Sequence, residues 1–401
     1  SYDKESGELV LHNYMDFDNL KDYVKISYEL TQDGLLIGKG KLDEVSVVPH
    51  SEGKTNLQVN VPENGKCYLK LTYHLKKEMP LLEEDYILGF DEIEVSQKDA
   101  KCQLAEKWVE KTVTDSELQV SEDDTQIHIK GREFAYTIDR RTALFTEMKF
   151  AGREYLNHPM ELNIWRAPTD NDMYIKSEWK KAHYDKAYTR AYTTEVVQGK
   201  HGVKITSHAS VVAETVQKIL DVTITWKIEA AGKIDADIAV TKDDEFPDLP
   251  RFGVRMFLDK KLSAARYFGM GPQESYCDKH QAASHGLYQA NVDDLHEDYI
   301  RPQENGSHYD CEYVELNNSR YGIVVSAENA FSFNASYYTQ EELEKKTHNY
   351  ELIESDSVVF CVDYALNGIG SNSCGPVVLE QYRFDDVLFR FQFTLIPYVK
   401  G

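Results

Sequence analysis

Apolar and polar residues alternate one by one along most of this 401-residue chain, and a period of two is the geometry of a β-strand with one buried face. Val24, Ile26, Tyr28 and Leu30 alternate with Lys25, Ser27 and Glu29 before Asp33-Gly34 turns the chain. Leu69, Leu71, Tyr73 and Leu75 repeat the pattern. Val222, Ile224, Trp226 and Ile228 form one face of a strand, and Ala231-Gly232 leads into Ile234, Ala236, Ile238 and Val240, which predicts a hairpin. Val387, Phe389, Phe391, Phe393 and Leu395 give the clearest strand of all, and a chain ending on it is expected to be complete there. Helical signals are few. Thr339 with Glu342 three residues on is a capping box, for a helix expected to stop near His348. Ser177 before Glu178-Trp179-Lys180-Lys181 opens a second short helix. The fold class is therefore all-β with small helical inserts.

The alternation pauses once, over QKDAKCQLAEKWVEKTVTDSEL, and resumes at Gln119-Val120. That pause divides the chain into residues 1–97, a linker at 98–117 and residues 118–401. The first part has the size of an immunoglobulin-like β-sandwich, about 100 residues. The larger part, rich in short strands, predicts two broad antiparallel sheets packed face to face.

The net charge of −23 repels nucleic acid and anionic membrane surfaces, which argues against both as partners. No run approaches the roughly 20 apolar residues of a membrane span, and no basic stretch with an apolar follower opens the chain, so a cytoplasmic setting is expected. Six scattered cysteines, without any CxxC spacing, read as reduced thiols, and thirteen dispersed histidines give no metal-ligand spacing. No metal site is expected on the chain. Its first residues, SYDKESGELV, lack a methionine and enter the alternation at once, as a chain cut from something longer would.

Several stretches interrupt the strand rhythm with chemistry-bearing side chains. In IWRAPTDND, Arg166 runs through a proline to Asp170, Asn171 and Asp172, where Asx turn chemistry accounts for the residues. GMGPQESYCDKH and RPQENGSHYDC each carry a PQE triplet, so Glu274 and Glu304 invite comparison with the carboxylate pair of a glycosidase; the glycine and proline beside each also suit loop-fixing carboxylates. Tyrosines are many, 26 in all, and clusters such as Tyr184, Tyr188 and Tyr192 could face sugars or simply rim a sheet. The last stretch is NGIGSNSCGP, Asn367 to Pro376. It lacks the Lys-Ser/Thr of a phosphate loop, and Pro376-Val377-Val378-Leu379 follows in place of a helix. No histidine lies near Cys374 in sequence to activate it, which leaves a backbone-permissive loop.

WRAPTDND, GMGPQESYCD, PQENG and NGIGSNSCGP, in that order, resemble the C-terminal region of the large β-galactosidases of glycoside hydrolase family 2. The resemblance covers nearly the whole chain. It implies a β-sandwich domain followed by the "small chain" domain, a galactose-mutarotase-like supersandwich. It further implies that two catalytic glutamates, retaining hydrolysis of terminal β-D-galactosides such as lactose, magnesium, and sodium or potassium all belong to a (β/α)₈ barrel absent from this sequence. No catalytic residue and no cofactor is then expected here, and Glu274 and Glu304 become structural, with Arg166, Asp170, Asn171 and Asp172. The partners implied are the catalytic barrel region or a large subunit, together with the galactoside, while a homo-oligomer is left open. The glycine-rich loop implies substrate contact through Asn372, Ser373 and Cys374, the last standing where some members have a stacking tryptophan. The segment Met173, Tyr174, Ile175, Lys176, Ser177 and Glu178 corresponds to a mobile active-site loop, with Tyr174 where a glycine hinge can occur. A stand-alone sugar mutarotase or epimerase and a carbohydrate-binding module are the alternative functions.

Overall fold

A computed structural model describes residues 1–104, 118–370 and 374–400. It divides into two compact units, Ser1–Gln103 with His285–Leu287, and Leu104–Ser284 with Tyr288–Gly401. Most of the predicted linker falls on residues 105–117, outside the described residues.

The first unit is a sandwich of a three-stranded and a four-stranded sheet. Val24–Gln32 pairs antiparallel with Cys67–Leu75, in a register that sets Leu30 opposite Leu69 and Tyr28 opposite Leu71. Alternation puts Ile26, Leu30, Leu69 and Leu71 on one face, and they meet Leu9 and Leu11 of the other sheet in a single apolar cluster. Each such aliphatic side chain contributes about 2 kcal/mol by leaving water.

The second unit has one sheet of five strands and one of twelve. The smaller contains Gln126–Lys130, Phe134–Asp139 and Leu144–Phe150. In the larger, Leu220–Glu229 and Ile234–Lys242 form the predicted hairpin, with Ile224 opposite Ile238 and Trp226 opposite Ala236. Its turn needs Gly232, whose φ of +91° a side chain would resist. Leu388–Val399 inserts between Ile234–Lys242 and Tyr321–Ser336, and its Phe389, Phe391, Phe393 and Leu395 are buried. Both sheets feed one core. Phe145 of the smaller sheet meets Trp226 of the larger edge-on at 4.9 Å. The indole N–H of Trp226 donates to the Ala143 carbonyl at 2.8 Å, and the Tyr136 hydroxyl donates to that of Gly232 at 2.7 Å, so both rings are buried without a stranded polar atom.

The all-β expectation therefore holds, and the helices are short. Gln340–Lys345 has Thr339 as N-cap, its hydroxyl accepting the Glu342 N–H, although the helix ends at Lys345 and His348 caps a separate 3₁₀ turn. A second helix, Ile175–Lys181, begins two residues before Ser177, and a single turn, Leu20–Tyr23, lies in the first unit. Among the described residues no helix is long and apolar enough to cross a membrane.

Candidate functional site

The strand Leu156–Asn163 ends at a residue whose side chain turns the chain, the Asn163 carboxamide oxygen accepting the Trp165 N–H at 3.0 Å. This drives Arg166 into the interior, where its guanidinium is fully buried. A buried cation must be partnered. Asp172 grips it through two oxygens, Nη2 to Oδ1 at 2.7 Å and Nε to Oδ2 at 3.1 Å. The remaining N–H groups donate to the carbonyls of Asn367 and, at 3.2 Å, Gly368. Asp172 also accepts the Thr169 N–H at 2.9 Å, closing the Asp170–Asp172 turn. One ion pair thus fastens the first stretch to the glycine-rich one, about 200 residues away.

The same glycine-rich backbone is held from two further sides. Asn171 donates its side-chain amide to the Ile369 carbonyl at 2.6 Å. Asp278, from GMGPQESYCDKH, accepts the N–H groups of Ile369 at 3.1 Å and Gly370 at 2.7 Å. A Cβ on Gly368 would stand 2.7 Å from an Asp278 carboxylate oxygen and 2.9 Å from Val378, so this approach needs glycine. Asn367 completes the clamp by accepting the Phe384 N–H at 2.8 Å.

The PQE triplets brace the site from below. Glu304 accepts the Ala167 N–H at 3.2 Å while its own N–H donates to the Ala167 carbonyl at 3.0 Å. Its other oxygen takes a hydrogen bond of 2.8 Å from Arg251, a fully buried cation that also grips Asp363 at 2.5 and 3.1 Å. Gln303 accepts the Asp170 N–H at 3.0 Å. Glu274, its side chain 6% exposed, accepts from the Gly306 N–H at 2.9 Å, Lys279 at 2.5 Å and Tyr299. The acceptor oxygens of both glutamates are thus spent on chain geometry.

Burial sets the electrostatics. It raises the Asp363 carboxyl to about 6 even against the Arg251 charge. It lowers the His308 imidazole, which stacks on Phe333 at 5.1 Å, to about 4. Burial alone would raise Glu274 too, but Lys279, Tyr299 and the Gly306 N–H outweigh it and hold that carboxyl below its ordinary range.

The sequence-predicted residues fall into three groups. Arg166, Asp170, Asn171, Asp172, Glu274 and Glu304 all enter this hydrogen-bonded assembly. Cys374 is exposed beyond it, and Asn372 and Ser373 lie outside the described residues. The segment Met173 to Glu178 corrects the expectation of a loop: Met173 and Tyr174 are exposed, but Ile175 to Glu178 are helical. Trp179 explains this. Its ring is fully buried, edge-on to Trp165 at 6.3 Å, beneath the Arg166 guanidinium, with its N–H donated to the Asp248 carbonyl at 2.9 Å, and one helical turn brings it there. Arg251, Asp363 and Asp278 are the participants that pattern reading passes over. The signal of Arg251 and Asp363 is a charge inside an apolar strand, positive in RFGVRMFLD and negative in SVVFCVDYAL, in strands that pair. Among the described residues no three His, Cys, Asp or Glu side chains group as a metal ion would need.

Residues 130–395 match the family described as "Beta galactosidase small chain", and residues 9–96 match "Beta-galactosidase, domain 4". The chain is 42% identical over 392 residues to a β-galactosidase of Actinobacillus pleuropneumoniae, covering 97% of this chain and 38% of that protein. It is 30% identical over 398 residues to a β-galactosidase of Staphylococcus xylosus, covering 98% and 39%. The chain thus spans less than two-fifths of the length of these curated relatives. Among solved structures, galactose 1-epimerase from Lactobacillus acidophilus NCFM overlaps with a TM-score of 0.38 at 8% identity, over 72% of this chain and 100% of that one. By the match that takes in the whole clamped assembly, the chain belongs to the β-galactosidase small-chain family.

Proposed function

We propose that this chain is the non-catalytic C-terminal part, or a small subunit, of a cytoplasmic retaining β-galactosidase acting on terminal β-D-galactosides such as lactose. The catalytic glutamates, magnesium, and sodium or potassium belong to a catalytic region that this chain completes and helps to assemble. One observation carries the reading: Arg166 and Asn171 from one stretch and Asp278 from another converge to hold the backbone of Asn367 to Gly370, and Cys374, four residues further along the chain, is exposed. So much buried hydrogen bonding spent on one short segment supports a role in aiming it at something outside the unit. Cys374 offers a small, polarisable contact to a galactoside in place of a broad aromatic one.

The test mixes the chain with the catalytic region of a relative and follows a chromogenic β-galactoside. The chain alone gives no turnover, and the mixture gives more than the catalytic region by itself. Turnover by the chain alone, abolished by Glu274→Gln or Glu304→Gln, would overturn the proposal. In the active mixture Cys374→Ala changes KM or aglycone preference and leaves the fold of the chain intact. A loss of folding in that variant would make the loop structural.

A further inference from the structure

A second feature of the larger unit lies beside the clamp and touches it only through the backbone of Tyr382 and Phe384. The strand Ser307–Asn317 carries an irregularity in its pairing with Tyr321–Ser336, between His308 and Cys311. Inside it Asp310 adopts a φ of +54°, in the left-handed region that non-glycine residues avoid at a cost of order 1 kcal/mol. Bulges of this kind re-aim side chains. Here Tyr309 and Asp310 line a hollow of about 460 Å³. Tyr364, from the buried strand Ser357–Leu366, and Tyr382, Arg383 and Asp386, from the chain after Pro376, complete its polar wall. The size lies within the 300–1,000 Å³ typical of small-molecule sites.

The lining specifies what would fill it. Three half-buried phenol rings offer faces to C–H groups and hydroxyls to a polar ligand. Two arginines and two aspartates leave no net charge. Arg390, also in the wall, is held by Asp237 through two hydrogen bonds, and Arg383 donates Nε to the Val378 carbonyl at 3.0 Å, so both cations are fixed in place. Asp310 and Asp386 disfavour an anion, and the arginines disfavour a cation. Burial, and then the neighbouring Asp385 charge, raise the Asp386 carboxyl, which is itself exposed and open to a hydroxyl donor. A ligand rich in hydroxyls, uncharged and with a C–H face meets every one of these demands. We propose that this hollow is a binding site for a single hexopyranose, lined by Tyr309, Tyr364, Tyr382 and Asp386.

Tyr382 is the place to break it. Its carbonyl accepts the Gly368 N–H at 2.8 Å, a backbone contact that substitution preserves, while its ring has no other assigned role. The experiment titrates the 401-residue chain with D-galactose and with D-glucose, read by saturation-transfer NMR and calorimetry. Saturable binding in the millimolar range is expected for at least one sugar, with no competition by glycerol. Tyr382→Ala and Asp386→Asn should each weaken it about tenfold, the loss of roughly one good contact. Tyr192→Ala, on the exposed strand Tyr188–Gln198 outside the hollow, should leave it unchanged. Thermal melts of each variant establish that it is folded. Absence of saturation with both sugars up to about 100 mM, a concentration at which even a very weak site fills, overturns the proposal. So does saturable binding with the same affinity in both hollow variants. Neither result bears on the mixing assay above, which reads turnover and not sugar occupancy.

Discussion

Each of the two units is held together internally by different means. In Ser1–Gln103 the core is aliphatic, the buried polar side chains are Asn13 and Asp33 alone among the described residues, and ion pairs such as Lys25–Glu84 and Lys54–Glu8 lie at the surface, the contact of Glu92 with His285 of the same unit being a largely buried exception. In the larger unit Arg166 and Arg251 are fully buried with their carboxylates, among an equally apolar core. Buried ion pairs add little net stability, because desolvation offsets most of their attraction. What they supply is geometry: a guanidinium with five fixed N–H donors orients the irregular backbone that strand pairing cannot. The contrast teaches that charge is buried where the chain must hold loops, and kept outside where sheets suffice.

The contrast breaks most violently at Arg251. Arg251→Met leaves Asp363 and Glu304 buried without their cation and should destabilise the larger unit by about 3–5 kcal/mol. Urea denaturation followed by tryptophan fluorescence reads this unit selectively, since Trp165, Trp179 and Trp226 lie in it and residues 1–103 contain none. The triple variant Arg251→Met, Glu304→Gln, Asp363→Asn should recover part of the loss by removing the stranded charges. A single variant within 1 kcal/mol of the parent, well inside the cost of an unpaired buried charge, would show that Arg251 is dispensable. Asp278→Ala comes next. It strands two N–H groups, a local cost of about 1–3 kcal/mol, and should speed amide exchange at Ile369 and Gly370 with little effect on the global transition. Asp278→Asn, which keeps one acceptor oxygen, should fall between.

Much of this was legible in the sequence, and the limits are physical. Alternation located the strands because one face of each is buried, and the register of Val222 to Val240 followed from it together with the turn at Gly232. The four stretches stood out because glycine, proline and Asx residues interrupt alternation. Their convergence did not, since Arg166 and Asn367 meet through tertiary pairing that no local pattern encodes. The helix at Ile175 was misplaced by two residues because Ser177 resembles an N-cap, whereas burial of Trp179 sets the actual start. Tyr309 and Asp310 lay inside one of those stretches, RPQENGSHYDC, but the bulge that turns them into the hollow arises from strand pairing that no local pattern encodes.

Two buried groups give a subtler test, because their pH dependences oppose each other. His308 has its folded value lowered to about 4, so the unfolded chain binds its proton more readily. The stability it contributes is full above about 6.5 and is lost as pH falls towards 4, by about 3 kcal/mol in all. Asp363 has its folded value raised to about 6, so the folded chain holds its proton more tightly. Its contribution is full below about 3.8 and is lost as pH rises through 6. Between pH 4 and 6 the two slopes cancel. Relative to the parent, His308→Gln should therefore lose stability as pH rises across that window, and Asp363→Asn should gain it. Equal slopes in the two variants would remove these groups from the pH response.

The smallest effect is the one that makes the comparison fair. Lys54 and Glu8 lie 2.8 Å apart on paired strands of the first unit, with side chains 65% and 44% exposed. By distance alone this pair matches the Arg166–Asp172 contact of 2.7 Å in the larger unit. Solvent screening and the entropy of two long, mobile side chains should cancel its attraction, so proximity without burial carries no structural weight. Lys54→Ala should leave amide-exchange protection at Leu69 and Leu71, in the core of that unit, unchanged, and added salt should make no difference to either chain. A loss of protection that salt reproduces in the parent would mean that the first unit also relies on placed charge, and burial would then not be what separates the two.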